Sequence, residues 1–75
     1  MGLAEMAGKL SAAQKTALLG AAGREGARLS GLTSTETDEL TGVRVLGRSG
    51  GLTSRGVALR AIVVREAFDD AFGPL

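Results

Sequence analysis

The sequence predicts a mainly helical α+β domain with three helices and one short β-strand or hairpin. Two observations predict the helices: hydroxyl residues suited to helix N-caps precede helix-forming stretches, and residues 54–72 carry apolar side chains at helical spacing. The β-structure is predicted because the glycine-rich stretch 47–51 has the composition of a turn between two short apolar segments.

Composition limits what this domain can do. The 75 residues form one domain, residues 1–75, in which residues 1–9 are expected either to fray or to add a short helical turn. The sequence contains no cysteine and no histidine, which excludes disulfides, thiolate metal sites and the commonest general base near neutral pH. We expect no cofactor, no metal and no enzymatic activity, because so short a chain also has little room for a substrate pocket.

The first predicted helix begins after Ser11, which forms a capping box with Gln14. Residues 12–22 are rich in helix formers, and the glycines at the far end place the end of the helix near Ala22. Residues 27–32 alternate weakly between apolar and polar side chains and are expected to form one short strand.

The second predicted helix follows a hydroxyl cap at residues 33–34 and covers residues 34–41, with acidic side chains in its first turn. Its end has two interpretations. Apolar residues spaced three apart extend the helix to Gly47, with Gly42 as a weak point. Alternatively, the β-branched alternation of residues 43–46 pairs with residues 51–53 as a hairpin. We prefer the helix.

The last predicted helix begins after Thr53 or Ser54, runs to about Phe72 and stops at Gly73 and Pro74. It is apolar on more than one face, so we expect it to be covered on more than one side, in part by a second protomer of a homodimer. The residues expected at this oligomer or partner interface are Leu59, Ile62, Val63, Phe68 and Phe72.

The charge distribution is uneven, although the net charge is only +1. Residues 40–65 contain five arginines and no carboxylate. Such a segment could face phosphate groups, although runs of charge are commonly solvated surface. The candidate nucleic-acid contacts are Arg44, Arg48, Ser49, Arg55 and Arg60.

Three short motifs resemble the winged helix-turn-helix family over Leu10 to Arg60. They are Leu52-Thr53-x-x-Gly56-x-x-Leu59 after a glycine-bearing turn, Leu10-Ser11-x-x-Gln14 with Leu18-Leu19, and Glu39-Leu40-Thr41-Gly42-Val43. The resemblance implies a minimal winged-helix-like fold that binds DNA. The sequence departs from the family in two respects. The span between the first helix and the glycine-bearing turn, which corresponds to the family's wing, holds one helix comfortably, where the family has two. That helix also begins with carboxylates.

The sequence therefore predicts a small DNA-binding regulatory protein, encoded by a phage or plasmid, that contacts the phosphate backbone through residues 44–65. The alternative is a protein-interaction module, such as a host-factor inhibitor or assembly adaptor, which docks an acidic protein partner through the C-terminal helix and the arginines. We expect a cytoplasmic protein without membrane contact, because no apolar run approaches the ~20 residues that span a bilayer.

Overall fold

A computed structural model describes residues 2–72 and, within that range, the side chains of residues 2–71. These residues form four helices: α1 (Leu3–Lys9), α2 (Ala12–Gly20), α3 (Ser34–Gly42) and α4 (Ser54–Phe72). The mainly helical prediction is confirmed, but the prediction of three helices is wrong. The stop predicted at Gly73 and Pro74 lies outside the described residues.

The additional helix, α1, is separate from α2 because the capping box of α2 requires an extended residue at its start. Ser11 has φ −70° and ψ 162°, accepts a hydrogen bond from the backbone N–H of Gln14, and receives the Gln14 side chain on its own N–H. Leu10 is extended as well, so the chain turns between the two helices. At its other end α2 stops at Gly20, short of the predicted Ala22, because Ala21 is again extended.

The predicted strand and hairpin are reduced to two isolated antiparallel bridges within the described residues, Arg28 with Gly51 and Leu46 with Leu52. Hydrogen bonds of 2.8 Å from the Gly26 N–H to the Leu52 carbonyl and from the Leu52 N–H to the Ala27 carbonyl hold the first pairing. The segment 51–52 thus lies between residues 26–28 and residue 46. The strand predicted over residues 27–32 survives only as the single bridge at Arg28.

Helix α3 ends at Gly42, so the preferred extension to Gly47 is wrong. The chain reverses through Arg44, which has φ +64°, and the N–H of Val45 donates to the carbonyl of Leu40 at 2.9 Å. This bond, together with one from the Arg44 N–H to the Thr41 carbonyl, forms a Schellman motif. The reversal brings Val45 against Leu40, and both side chains are almost fully buried. Burial of Val45 therefore favours ending the helix over continuing it.

Helices α1 and α2 both pack against helix α4. Leu59 and Val63, one turn apart on α4, are 0% and 2% exposed and face this core. The core is aliphatic, as a chain with only two phenylalanines requires. Its buried members are Met6, Ala7, Leu18, Ala21, Ala27, Leu40, Val45, Leu46, Leu52, Leu59 and Val63.

The start of α4 is packed tightly onto the chain that follows α3. The hydroxyl oxygen of Thr53 accepts a hydrogen bond from the Gly56 N–H at 3.0 Å, and the hydroxyl group also lies within hydrogen-bonding distance of the carbonyl oxygens of Arg44 and Val45. A Cβ atom on Gly56 would overlap the Val45 carbonyl oxygen and lie 2.9 Å from Cδ2 of Leu52. Only glycine allows this approach.

The starts of α2 and α3 are joined through their two capping boxes. The Ser11 hydroxyl donates to a carboxylate oxygen of Glu36 at 2.9 Å, and the buried Gln14 side chain donates to the Glu36 main-chain carbonyl. Glu36 also accepts from the N–H and hydroxyl of Thr33. Hydrogen bonds from the backbone N–H of Thr33 and then from the Ser11 hydroxyl lower the pKa of Glu36 below its ordinary value of 4.5. Burial raises this pKa by less than either bond lowers it, and the Thr33 hydroxyl adds a still smaller lowering.

Replacement of Gly56 by alanine is expected to destabilise the fold by about 1–3 kcal/mol, because the new methyl group meets main-chain atoms that cannot rotate away. The matched control is Gly8→Ala in α1, where a Cβ meets nothing within 4 Å. This control is expected to stabilise the protein by up to about 1 kcal/mol. Urea unfolding followed by circular dichroism checks both, and equal stability of the two variants would contradict the packing of α4.

Acidification is expected to weaken the fold through Glu36. Because the folded-state pKa of Glu36 is lowered, its ionised form stabilises the protein above the ordinary glutamate pKa, and this contribution is lost as the pH falls through the lowered value. Glu36→Gln should therefore be less stable than the wild type at neutral pH, with a difference that narrows in acid. Urea unfolding from neutral to acidic pH measures the difference in free energy of unfolding between the two proteins. A difference that stays constant with pH would refute the role of the carboxylate.

Candidate nucleic-acid interface

Four of the five predicted nucleic-acid contacts are exposed, and they lie on three consecutive parts of the chain that hydrogen bonds connect. Arg44 follows α3, Arg48 and Ser49 occupy the turn between Leu46 and Leu52, and Arg55 lies in the first turn of α4. We call these four residues the arginine surface. Within the part of the chain that the structure describes, none of the three arginine side chains makes a hydrogen bond or an ion pair.

Backbone hydrogen bonds hold the elements of the arginine surface in place. The Gly50 N–H donates to the Gly47 carbonyl at 3.0 Å and the Gly47 N–H donates to the Gly51 carbonyl at 2.8 Å, which closes the turn that carries Arg48. Thr53 ties the chain after α3 to the start of α4, and so links the positions of Arg44 and Arg55. The charges are thus presented by a defined backbone, although their side chains are free to reorient.

Arg44 occupies a position where the backbone favours glycine. Its φ of +64° is left-handed, which for a residue with a side chain costs about 1–2 kcal/mol. Glycine is the usual residue at this point of a Schellman motif. Unfavourable backbone conformations of this kind concentrate at functional sites, so the choice of arginine here points to a use for its side chain.

Arg55 is placed against the dipole of its own helix. The first turn of an α-helix carries partial positive charge, so a cation there is unfavourable and an anion is favoured. No acidic residue occupies the first turn of α4. An external anion at this end would improve the electrostatics of both the helix and Arg55.

Arg60 has a structural role that was not predicted. Its Nε–H donates to the carbonyl oxygens of Leu18 and Ala21 at 3.0 and 2.9 Å, and the residue is half-buried. These carbonyls lie at the C-terminal end of α2, where main-chain acceptors lack the N–H of a following helical turn; the Leu18 carbonyl also accepts from the Ala21 N–H at 3.2 Å. Arg60 is therefore a structural cap that fixes α2 on α4, a role that its assignment as a nucleic-acid contact did not include, and that assignment stays a prediction.

The predicted interface on α4 is corrected in part. Leu59 and Val63 are core residues of the single chain and are not available to a partner. Ile62 is half-buried against the same core, whereas Phe68 is 61% exposed. The side chain of Phe72 lies outside the described residues. The surface predicted for a partner or a second protomer is therefore smaller than the sequence indicated.

The acidic start of α3 is turned toward α2. Glu36 is engaged by Ser11 and Thr33, and its main-chain carbonyl by Gln14, so this end of α3 packs against the start of α2. The opposite end of α3 is the one that leads into Arg44. The Glu36 carboxylate is therefore held at the end of α3 that is further from Arg44.

Sequence reasoning missed one residue at this surface. Arg28 is exposed, pairs through its backbone bridge with Gly51, and places Nη1 3.3 Å from the position that a Cβ on Gly50 would occupy. Its side chain therefore lies across the turn that carries Arg48. The sequence held no signal for this, because the long-range pairing of residue 28 with residue 51 was not predicted.

A shallow groove of about 160 Å³ opens between α1, the start of α2 and the end of α3. It is smaller than ordinary small-molecule sites of about 300–1,000 Å³. Its lining residues are Met6, Lys9, Leu10, Gln14, Glu39, Leu40 and Val43. Residues 2–72 contain no cluster of carboxylates that could hold a metal ion, and none of their helices has the length and apolarity to cross a membrane.

Comparisons of the chain with protein-family models, with curated proteins and with solved structures found no match. The winged-helix resemblance consequently rests on the motifs in the sequence alone.

Replacement of Arg60 by alanine is expected to destabilise the protein by about 1.5–3 kcal/mol, because the two carbonyl groups lose a charged donor. Arg55→Ala removes an exposed arginine from the same helix and is expected to change the stability by no more than about 0.5 kcal/mol. Urea unfolding distinguishes the two variants. Similar stabilities for both would show that the cap contributes nothing to the fold.

Proposed function

We propose that this protein is a small regulatory protein that binds the phosphate backbone of duplex DNA through its arginine surface. The observation that carries the proposal is the set of three exposed arginines, Arg44, Arg48 and Arg55, presented by one hydrogen-bonded unit without a carboxylate partner among the described residues. Guanidinium groups form strong charge-assisted hydrogen bonds with phosphate oxygens, and arginine suits this contact better than lysine.

The absence of aromatic side chains from residues 40–65 favours a duplex over a single strand. Proteins that bind single strands generally stack bases on aromatic rings. The sequence contains only two aromatic residues, Phe68 and Phe72, both near the end of α4 and away from the turn that carries Arg48. Backbone contact with a duplex needs only positive charge at suitable positions.

The order of elements supports a minimal winged-helix-like arrangement as the scaffold for this binding. After helix α1, the chain forms helix α2, a short paired segment, helix α3 and a paired turn before α4. The arrangement departs from the family's pattern: α1 is additional, a single helix, α3, lies between the first paired segment and the turn, and each pairing is a single bridge. In this proposal Arg48 and Ser49, at the tip of the turn, meet the backbone beside Arg44 and Arg55.

Replacement of Arg44 by glycine gives the sharpest test, because it should change binding and stability in opposite directions. Loss of the guanidinium should weaken DNA binding and reduce the slope of log affinity against log salt by about 0.9, the value for one phosphate contact on a duplex. Glycine should at the same time raise the stability by about 1 kcal/mol, because it removes the left-handed strain. Improved folding with poorer binding cannot result from damage to the fold.

The binding measurement is fluorescence anisotropy with a labelled generic DNA duplex, from low to moderate salt, on protein whose oligomeric state is known from sedimentation. The matched control is Arg65→Ala, which also removes one positive charge from an exposed site. Arg65 lies about 15 Å beyond Arg55 along α4. It should leave the salt slope nearly unchanged. Absence of wild-type binding even at low salt would overturn the proposal, as would equal slopes for the wild type and Arg44→Gly.

A further inference from the structure

Arg28 belongs to a loop that is distant in sequence from the arginine surface but fixed to it in space. Its backbone pairs with Gly51, and Nη1 lies over Gly50 at 3.3 Å from the position of a Cβ. Gly50 has φ +86°, a backbone conformation that favours glycine at this point of the turn. The guanidinium group of Arg28 thus lies on the same turn as Arg48.

The pairing that carries Arg28 leaves little freedom to move away. Hydrogen bonds of 2.8 Å link Gly26 and Ala27 to Leu52 on the neighbouring segment. A Cβ on Gly51 would lie 2.8 Å from both Cα and the carbonyl oxygen of Gly26, so the two main chains are in direct contact. Ala27 and Leu52, on either side of this contact, are buried in the core. The backbone at residue 28 therefore moves with the turn as one unit.

Among the described residues, Arg28 has no side-chain partner that would explain this position. Its side chain makes no hydrogen bond or ion pair with any described residue. A second cation on a turn that already carries Arg48 raises the local positive potential, which disfavours the isolated protein and favours a bound anion. Packing over a glycine leaves the N–H donors of the guanidinium available to acceptors from outside.

We infer that Arg28 is a further phosphate-contacting residue, which extends the arginine surface across the turn to the loop that follows α2. The inference rests on the proposed binding of duplex DNA and adds a contact from a second, sequence-distant segment of the chain. The arginines that contact the DNA backbone are then Arg28, Arg44, Arg48 and Arg55.

The test compares Arg28→Ala, Arg28→Lys and Arg48→Ala in anisotropy titrations with the same DNA duplex over a range of salt concentrations, with Arg65→Ala as the control. Arg28→Ala and Arg48→Ala are each expected to lower the slope of log affinity against log salt by about 0.9. Arg28→Lys is expected to keep most of the slope, because the charge remains. Thermal unfolding of each variant, followed by circular dichroism, verifies that the fold is intact.

The outcomes separate the inference from the function on which it depends. The inference is supported if Arg28→Ala is folded and has a reduced slope of log affinity against log salt, while Arg28→Lys keeps most of the wild-type slope. A slope for Arg28→Ala equal to that of Arg65→Ala, while Arg48→Ala is reduced, overturns the role of Arg28 and leaves DNA binding standing. Failure of the wild type to bind at low salt overturns both.

Discussion

Thr53 and Gly56 hold the start of α4 against the main chain at Val45, and the positions of the other elements depend on this contact. It requires a glycine at residue 56, because the Val45 carbonyl occupies the space that a side chain would fill. It also requires α3 to end where it does, since only the reversal through Arg44 brings Val45 beneath α4. The same Thr53 hydroxyl caps α4 and reaches the chain after α3, so one side chain serves two elements.

The candidate site is a consequence of this packing. The reversal after α3, the tight turn and the first turn of α4 are drawn together by core burial and main-chain hydrogen bonds, and each exposes one arginine. Polar interactions elsewhere have been assigned to the fold: Glu36 joins two helix starts, and Arg60 closes the end of α2. Arg44, Arg48 and Arg55 are exposed and make no hydrogen bond or ion pair with any described residue, which is why this surface is the candidate for binding.

Local chemistry made several elements predictable. The capping boxes at Ser11 and Thr33 and the helical pattern of residues 54–72 depend on side chains within a few residues of each other, and each marks a helix in the structure. The end of α3 was not predictable in this way. Its apolar spacing fits a continued helix, and the decision for a reversal came from burying Val45 and Leu46 against parts of the chain that no local pattern contains.

The roles of the α4 residues and of the arginines likewise divide into those that local sequence predicts and those that long-range contacts decide. By itself, the sequence determined that the domain is mainly helical, that its core is aliphatic, and that positive charge accumulates over residues 40–65. Only the tertiary structure decided that Leu59 and Val63 face inward, that Arg60 caps another helix, and that Arg28 joins the turn at residue 50. Helical spacing shows which side chains share a face, whereas the partner of that face depends on contacts between residues far apart in sequence.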